Sequence, residues 1–105
     1  MKRYLAAALL LLVQPGLADA RDKLSDRIAS LIASTDGAKK ETAFKVKSVD
    51  EEYQILRALH YQPGMQSLII GDDHHPYDML EVTTPDGTKR QLWFDIGSFF
   101  GHELG

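Results

Sequence analysis

Residues 77–96 read YDMLEVTTPDGTKRQLWFDI, and their alternating apolar and polar side chains predict two β-strands joined by a tight turn. One face of this hairpin is apolar on both strands and is expected to face the core. The apolar residues on this inner face are Leu80, Val82, Leu92, Phe94 and Ile96. A shift of one residue in the strand pairing would place the two apolar sets on opposite faces, so the pattern fixes the register.

The turn of the hairpin is predicted to be a three-residue loop, Pro85-Asp86-Gly87. This length pairs Thr84 with Thr88 and brings Leu80 opposite Leu92. A two-residue loop would separate the apolar sets. Proline suits the first corner of a type I turn, and glycine suits the left-handed position that follows it.

The other face of the hairpin is the candidate partner-binding surface. Its residues are Tyr77, Met79, Glu81, Gln91 and Trp93. Trp, Tyr and Met are enriched at protein interfaces, so the leading hypothesis is a domain that binds a protein or peptide partner here. The alternative is that the first helix or the Phe99-Phe100 segment covers this face.

The rest of the chain predicts an α+β fold. Residues 21–35 and 49–60 have the apolar spacing of amphipathic helices, and residues 43–47 and 66–70 have that of short strands. The element order is therefore α-β-α-β-β-β, and the last three strands form an antiparallel meander. We expect a two-layer sandwich with both helices on one face of a mostly antiparallel four-stranded sheet. The first two strands are either parallel or lie at different edges.

The second helix has a clear start. Ser48 and Glu51 form a predicted capping box, in which each side chain accepts from the backbone amide of the other residue. Pro63-Gly64 is expected to end the helix. Its predicted apolar stripe consists of Val49, Tyr53, Ile55, Leu56 and Leu59.

Residues 1–20 have the features of a secretory signal peptide. Lys2-Arg3 gives a basic start, residues 4–13 are an unbroken apolar run, and Ala18-Asp19-Ala20 suits a cleavage site. The apolar run is too short to span a bilayer. The mature chain, residues 21–105, is expected to be a single small domain, periplasmic or secreted. The sequence has no cysteine, so it is not expected to be a lipoprotein.

Composition narrows the possible functions. The formal net charge is −3, which disfavours binding to nucleic acid or to anionic membranes. Without cysteine the chain has no thiol chemistry and no cysteine-bound metal. The sequence contains no Gly-x-Ser-x-Gly motif and no glycine-rich phosphate loop. We therefore expect a non-enzymatic domain that needs no cofactor.

The loop before the hairpin supplies an alternative function. Asp72, Asp73, His74 and His75 are adjacent residues of metal-ligating types, and imidazole and carboxylate groups suit zinc, nickel or copper. Polar residues of this kind are also normal in a solvated turn between strands. A metal-binding protein is therefore the second hypothesis.

Three motifs carry a resemblance to other sequences: KVKSVDEEYQILRAL (residues 45–59), PYDMLEV (76–82) and LWFDIGSFFG (92–101). With them, the segment 44–101 resembles short exported bacterial proteins of uncharacterised function. The resemblance implies export but no particular activity and no catalytic residues.

Overall fold

The computed structural model describes residues 26–101. The predicted signal peptide (1–20) and the predicted first turn of the mature chain lie outside the described residues. The elements are helix α1 (26–34 as described), strand β1 (Phe44–Lys45), helix α2 (Val49–Leu59), and strands β2 (Gln62–Ile70), β3 (Pro76–Thr83) and β4 (Lys89–Asp95). A 3-10 turn, Lys40–Thr42, precedes β1.

The four strands form one mixed sheet in the order β1-β4-β3-β2. Strands β2, β3 and β4 are antiparallel neighbours, whereas β1 runs parallel to β4. The predicted α+β fold with a mostly antiparallel sheet is confirmed. Of the two arrangements left open for the first two strands, the structure has them at opposite edges.

The predicted register of the hairpin is confirmed. Leu80 pairs with Leu92, and Met79 pairs with Trp93. The amide of Thr84 donates to the carbonyl of Thr88 at 2.8 Å, which closes the three-residue loop. Gly87 has φ +88°, the left-handed conformation expected at the end of this loop.

The core lies on the inner face of the sheet. Both described helices pack there, with Ile28 from α1 and Ile55 and Leu56 from α2. The rings of Phe44 and Phe94 lie 5.8 Å apart, so β1 and β4 are joined by side chains as well as by backbone. Full burial of one such large apolar side chain contributes about 1.5–3 kcal/mol. The described helices therefore cover one face of the sheet, and no described helix lies on the other face.

Helix α2 ends one residue before the predicted end at about His60. Its last residue is Leu59, and His60 follows in the left-handed conformation with φ +60°. The amide of His60 donates to the carbonyl of Arg57 at 3.1 Å, which caps the helix. The prediction that proline and glycine would end the helix was wrong because a histidine, a less usual left-handed cap than glycine, ends it first.

Strand β2 consequently begins four residues earlier than predicted, at Gln62 rather than Gln66. Gln62 pairs with Thr83, and Pro63-Gly64 lies inside the strand. The pairing is irregular between Pro63 and Gln66. A proline is tolerated here because β2 is an edge strand, where irregular pairing and a missing donor cost little.

The buried side of α2 differs from the predicted stripe. Val49 is 46% exposed and Tyr53 is 36% exposed. Glu51 and Glu52 are buried in their place, beside Ile55. Apolar spacing alone does not predict the burial of Glu51, which makes a contact with helix α1.

That contact joins α1 to the start of α2. Arg27 Nε donates to Glu51 Oε2 at 2.6 Å, and the Lys47 amide donates to Glu51 Oε1 at 2.8 Å. The hydrogen bond from Arg27 lowers the pKa of Glu51, and the Lys47 amide adds to the effect. Ser48 Oγ accepts from the Glu51 amide at 3.2 Å, as predicted. The second half of the predicted capping box is wrong, because the Glu51 carboxylate binds Arg27 and the Lys47 amide instead of the Ser48 amide.

The connection from α1 to β1 is held close to the core. Helix α1 ends at residue 34, three residues before Gly37. Gly37 has φ +63°, and its carbonyl accepts from the Trp93 amide at 2.8 Å. A Cβ added to Gly37 would lie 2.7 Å from Phe44 Cδ2. Glycine is required here both by the backbone conformation and by the adjacent ring.

Candidate partner-binding face

The structure places all five predicted partner-binding residues on the outer face of the hairpin. Strand pairing sets Met79 beside Trp93 and Glu81 beside Gln91. Tyr77, on the same face of β3, packs its ring edge-on to Trp93 with ring centroids 6.2 Å apart. Tyr77, Met79 and Trp93 are each half-buried, whereas Glu81 and Gln91 are exposed. The arrangement is an aromatic and thioether centre with a polar margin.

Of the two predicted covers, neither the described part of α1 nor Phe99 lies on this face. The described part of α1 packs into the core on the inner face, and Phe99 does the same. The 3-10 turn Lys40–Thr42 contacts strand β4. Burial and the nearby carboxylates of Asp73, Asp95 and Glu41 raise the pKa of the Tyr77 hydroxyl. The face is therefore bordered by side chains of both charges, since Lys45 pairs with Asp95 and Lys89 with Thr83, and it remains partly open to solvent.

His75 extends the row of aromatic rings, which sequence reasoning did not predict. Its ring lies 5.1 Å from that of Tyr77, and its Nε2 lies 2.5 Å from Asp95 Oδ1. The same Asp95 oxygen accepts from the Gly97 amide at 2.9 Å. A Cβ at Gly97 would lie 2.6 Å from the His75 ring. The alternation of side chains along a strand could have predicted this position, because His75 and Tyr77 are two residues apart and so share a face.

The predicted metal loop does not converge on one point. Asp73 Oδ1 accepts from the His75 amide at 3.0 Å, which lowers the pKa of Asp73. The His75 ring turns towards Asp95, and His74 has φ +63°. Across residues 26–101, no group of three His, Asp or Glu side chains is placed to hold a metal ion. Metal binding through Asp72, Asp73, His74 and His75 stays a prediction that this geometry does not favour.

Two buried carboxyl groups form a second unusual feature, on the inner face. Glu52 of α2 has no exposed surface, and neither of its carboxyl oxygens has a hydrogen-bond partner. Asp78 of β3 is 6% exposed and shares the inner face with Leu80. Burial, together with the contact to the Asp78 carboxyl, raises the pKa of Glu52 to about 9. Strand alternation could have placed Asp78 inside, because it precedes Leu80 by two residues.

These features define a small α+β fold with a partly open sheet face. The chain belongs to the family described as Domain of unknown function (DUF4919), whose profile matches residues 3–103. The resemblance to uncharacterised proteins is thereby confirmed. No curated protein and no solved structure matches the chain. Neither helix in the described range is long and apolar enough to cross a membrane.

Proposed function

We propose that this chain is a small exported, non-enzymatic domain that binds a protein or peptide partner through the outer face of β3 and β4. One observation carries the proposal: Tyr77, Met79 and Trp93 form a contiguous, half-exposed group that no described helix covers. Interfaces commonly combine an aromatic centre with a polar rim, which Glu81 and Gln91 would supply here.

The charges around the face indicate the character of the partner. Glu81 is exposed, and Asp95 and Asp73 border the aromatic row. Complementary charge at an interface rim speeds association and disfavours the wrong partners. Lys45 and Lys89 lie on the same face as these carboxylates, so we expect a partner that contributes an apolar or aromatic anchor with charges of both signs around it.

Removal of the aromatic and thioether anchors is the direct test of the face. The double substitution Trp93→Ala and Met79→Ala is expected to abolish capture of the partner from an envelope extract by the immobilised protein. Because both side chains are half-exposed, the fold should survive, and urea unfolding should show that it does. Tyr53→Ala is the matched control, since Tyr53 is a partly exposed aromatic on α2, and it should leave capture unchanged.

Two results would contradict this proposal. Unfolding of the double variant in buffer would show that the two side chains are core. Equal loss of capture by Tyr53→Ala would show that binding does not depend on the hairpin face.

A photo-crosslinking residue in place of Gln91 is expected to form a crosslink to the partner. The same residue in place of the exposed Arg57 on α2 should give no crosslink.

Export to the periplasm or the medium rests on the signal peptide predicted at residues 1–20. The full chain is to be expressed in a Gram-negative host. The periplasmic or medium fraction is expected to contain a protein whose intact mass matches a chain that begins at Arg21. Ala18→Glu, which places a large charge at the cleavage site, should leave the full-length precursor bound to the membrane fraction. Recovery of uncleaved full-length protein from the cytosol would refute export.

A further inference from the structure

An apolar groove opens on the inner side of the sheet, near the free edge formed by β2. Its lining includes Val49, Leu68, Asp78, Ile96, Phe99 and Phe100, and its volume is about 270 Å³. Leu68 lies on the inner face because it pairs with Asp78, yet it is 51% exposed. Phe100 on the opposite wall is 37% exposed. The groove therefore exposes apolar walls that the described helices leave uncovered.

The floor of this groove is acidic. Asp78 lines it and is more than nine-tenths buried, and the fully buried Glu52 interacts with the Asp78 carboxyl. Both oxygens of Glu52 lack a hydrogen-bond partner. A buried carboxyl without a hydrogen-bond partner destabilises the folded state. The protein thus keeps two carboxyl groups together in apolar surroundings at a cost to its own stability.

The described part of the chain brings no cation to this pair. Its ion pairs join Arg27 to Glu51 and His75 to Asp95, both away from the groove. A ligand with a positive charge would therefore supply what the site lacks. The apolar walls require that the charge be carried on an aliphatic stem, and Phe99 and Phe100 add aromatic surface that favours a cation.

We propose that the groove is a binding site for a small aliphatic primary amine, with the ammonium group against Asp78 and the stem between Leu68 and Phe100. The size of the groove supports a free small molecule. Pockets for drug-sized ligands begin at about 300 Å³, so this groove suits a short chain better than a helix or strand of a partner. The site lies on the opposite side of the sheet from the proposed partner-binding face, and the two can be tested separately.

The test is a titration of the mature protein with hexylammonium, followed by amide NMR shifts. Saturable shifts are expected at Leu68, Phe100 and Gly101, which border the groove. Hexanol is the matched probe, because it has the same stem without the charge, and it should bind at least tenfold more weakly. Asp78→Asn should weaken hexylammonium at least tenfold and leave hexanol unchanged, which also reports that the groove is intact.

Several outcomes would overturn the proposal. Equal affinity for hexanol and hexylammonium would reduce the groove to an apolar surface. An unchanged affinity in Asp78→Asn would show that the carboxyl is not part of the site. Shifts that do not saturate would show that the groove does not bind the amine specifically. Tighter binding of a lysine-containing peptide than of hexylammonium would assign the groove to a polypeptide side chain rather than to a free amine.

Discussion

Glu52→Gln is expected to raise the free energy of unfolding at pH 8 and to flatten its dependence on pH. In the folded protein the pKa of Glu52 is raised from 4.5 to about 9, first by burial and then by the Asp78 carboxyl. The folded state therefore keeps a proton that the unfolded state releases above pH 4.5. Since the unfolded state binds fewer protons in this range, stability falls as pH rises, by up to about 1.4 kcal/mol per pH unit.

The sign follows from the direction of the pKa shift. The contribution of Glu52 to stability is fully present below the unfolded pKa and is lost as pH rises towards about 9. Glutamine has the same shape and no charge at any pH, so the variant lacks this loss. Urea unfolding of wild type and Glu52→Gln should be measured at pH 5, 7 and 8.5. At pH 5 the two proteins should have similar free energies of unfolding. At pH 8.5 the variant should be more stable by about 2 kcal/mol or more.

The neighbouring residue provides a control with the opposite sign. Arg27 lowers the pKa of Glu51, so the contribution of Glu51 is present above its unfolded pKa and is lost as pH falls through its folded pKa. Glu51→Gln should therefore be less stable than wild type at pH 7, and the difference should shrink in acid. Parallel pH profiles for wild type and Glu52→Gln would contradict the assignment of a buried, protonated Glu52.

Gly37→Ala is expected to destabilise the protein far more than Gly87→Ala. Both glycines have positive φ, +63° and +88°, so each alanine has a backbone cost of about 1–2 kcal/mol. At Gly37 the new methyl group would also overlap the ring of Phe44, whereas at Gly87 nothing lies within 4 Å. Overpacking of a core ring typically adds about 1–3 kcal/mol. Chemical denaturation of the two variants separates the backbone cost from the packing cost, and equal losses would show that Phe44 moves aside freely.

Much of the fold could be predicted because its main signals are local. The parity of the apolar residues in β3 and β4 determined the hairpin register, including the pairing of Met79 with Trp93. The same parity placed the five partner-binding candidates on one face. A period of two is strict in a strand, so such arguments fix a face without further information.

The errors came from long-range contacts and from an unusual helix cap. The ion pair between Arg27 and Glu51 joins residues 24 positions apart, and no local pattern shows it. The sequence analysis did not place Glu52 in the interior, where the structure has it. His60 ended the helix where a glycine signal was expected, and Pro63 was mistaken for the stop. The groove was missed because it joins residues from α2, β2, β3 and the segment after β4.

The chain order of the sheet has a consequence for how the protein can assemble. Strands β2, β3 and β4 pair with their sequence neighbours, but Phe44 of β1 pairs with Phe94 of β4, about fifty residues later. Closing so long a loop is an entropic cost that the meander does not carry. A chain synthesised from its N-terminus cannot complete the sheet until β4 has emerged. Until then Phe44 and Val46, both buried in the finished core, remain exposed.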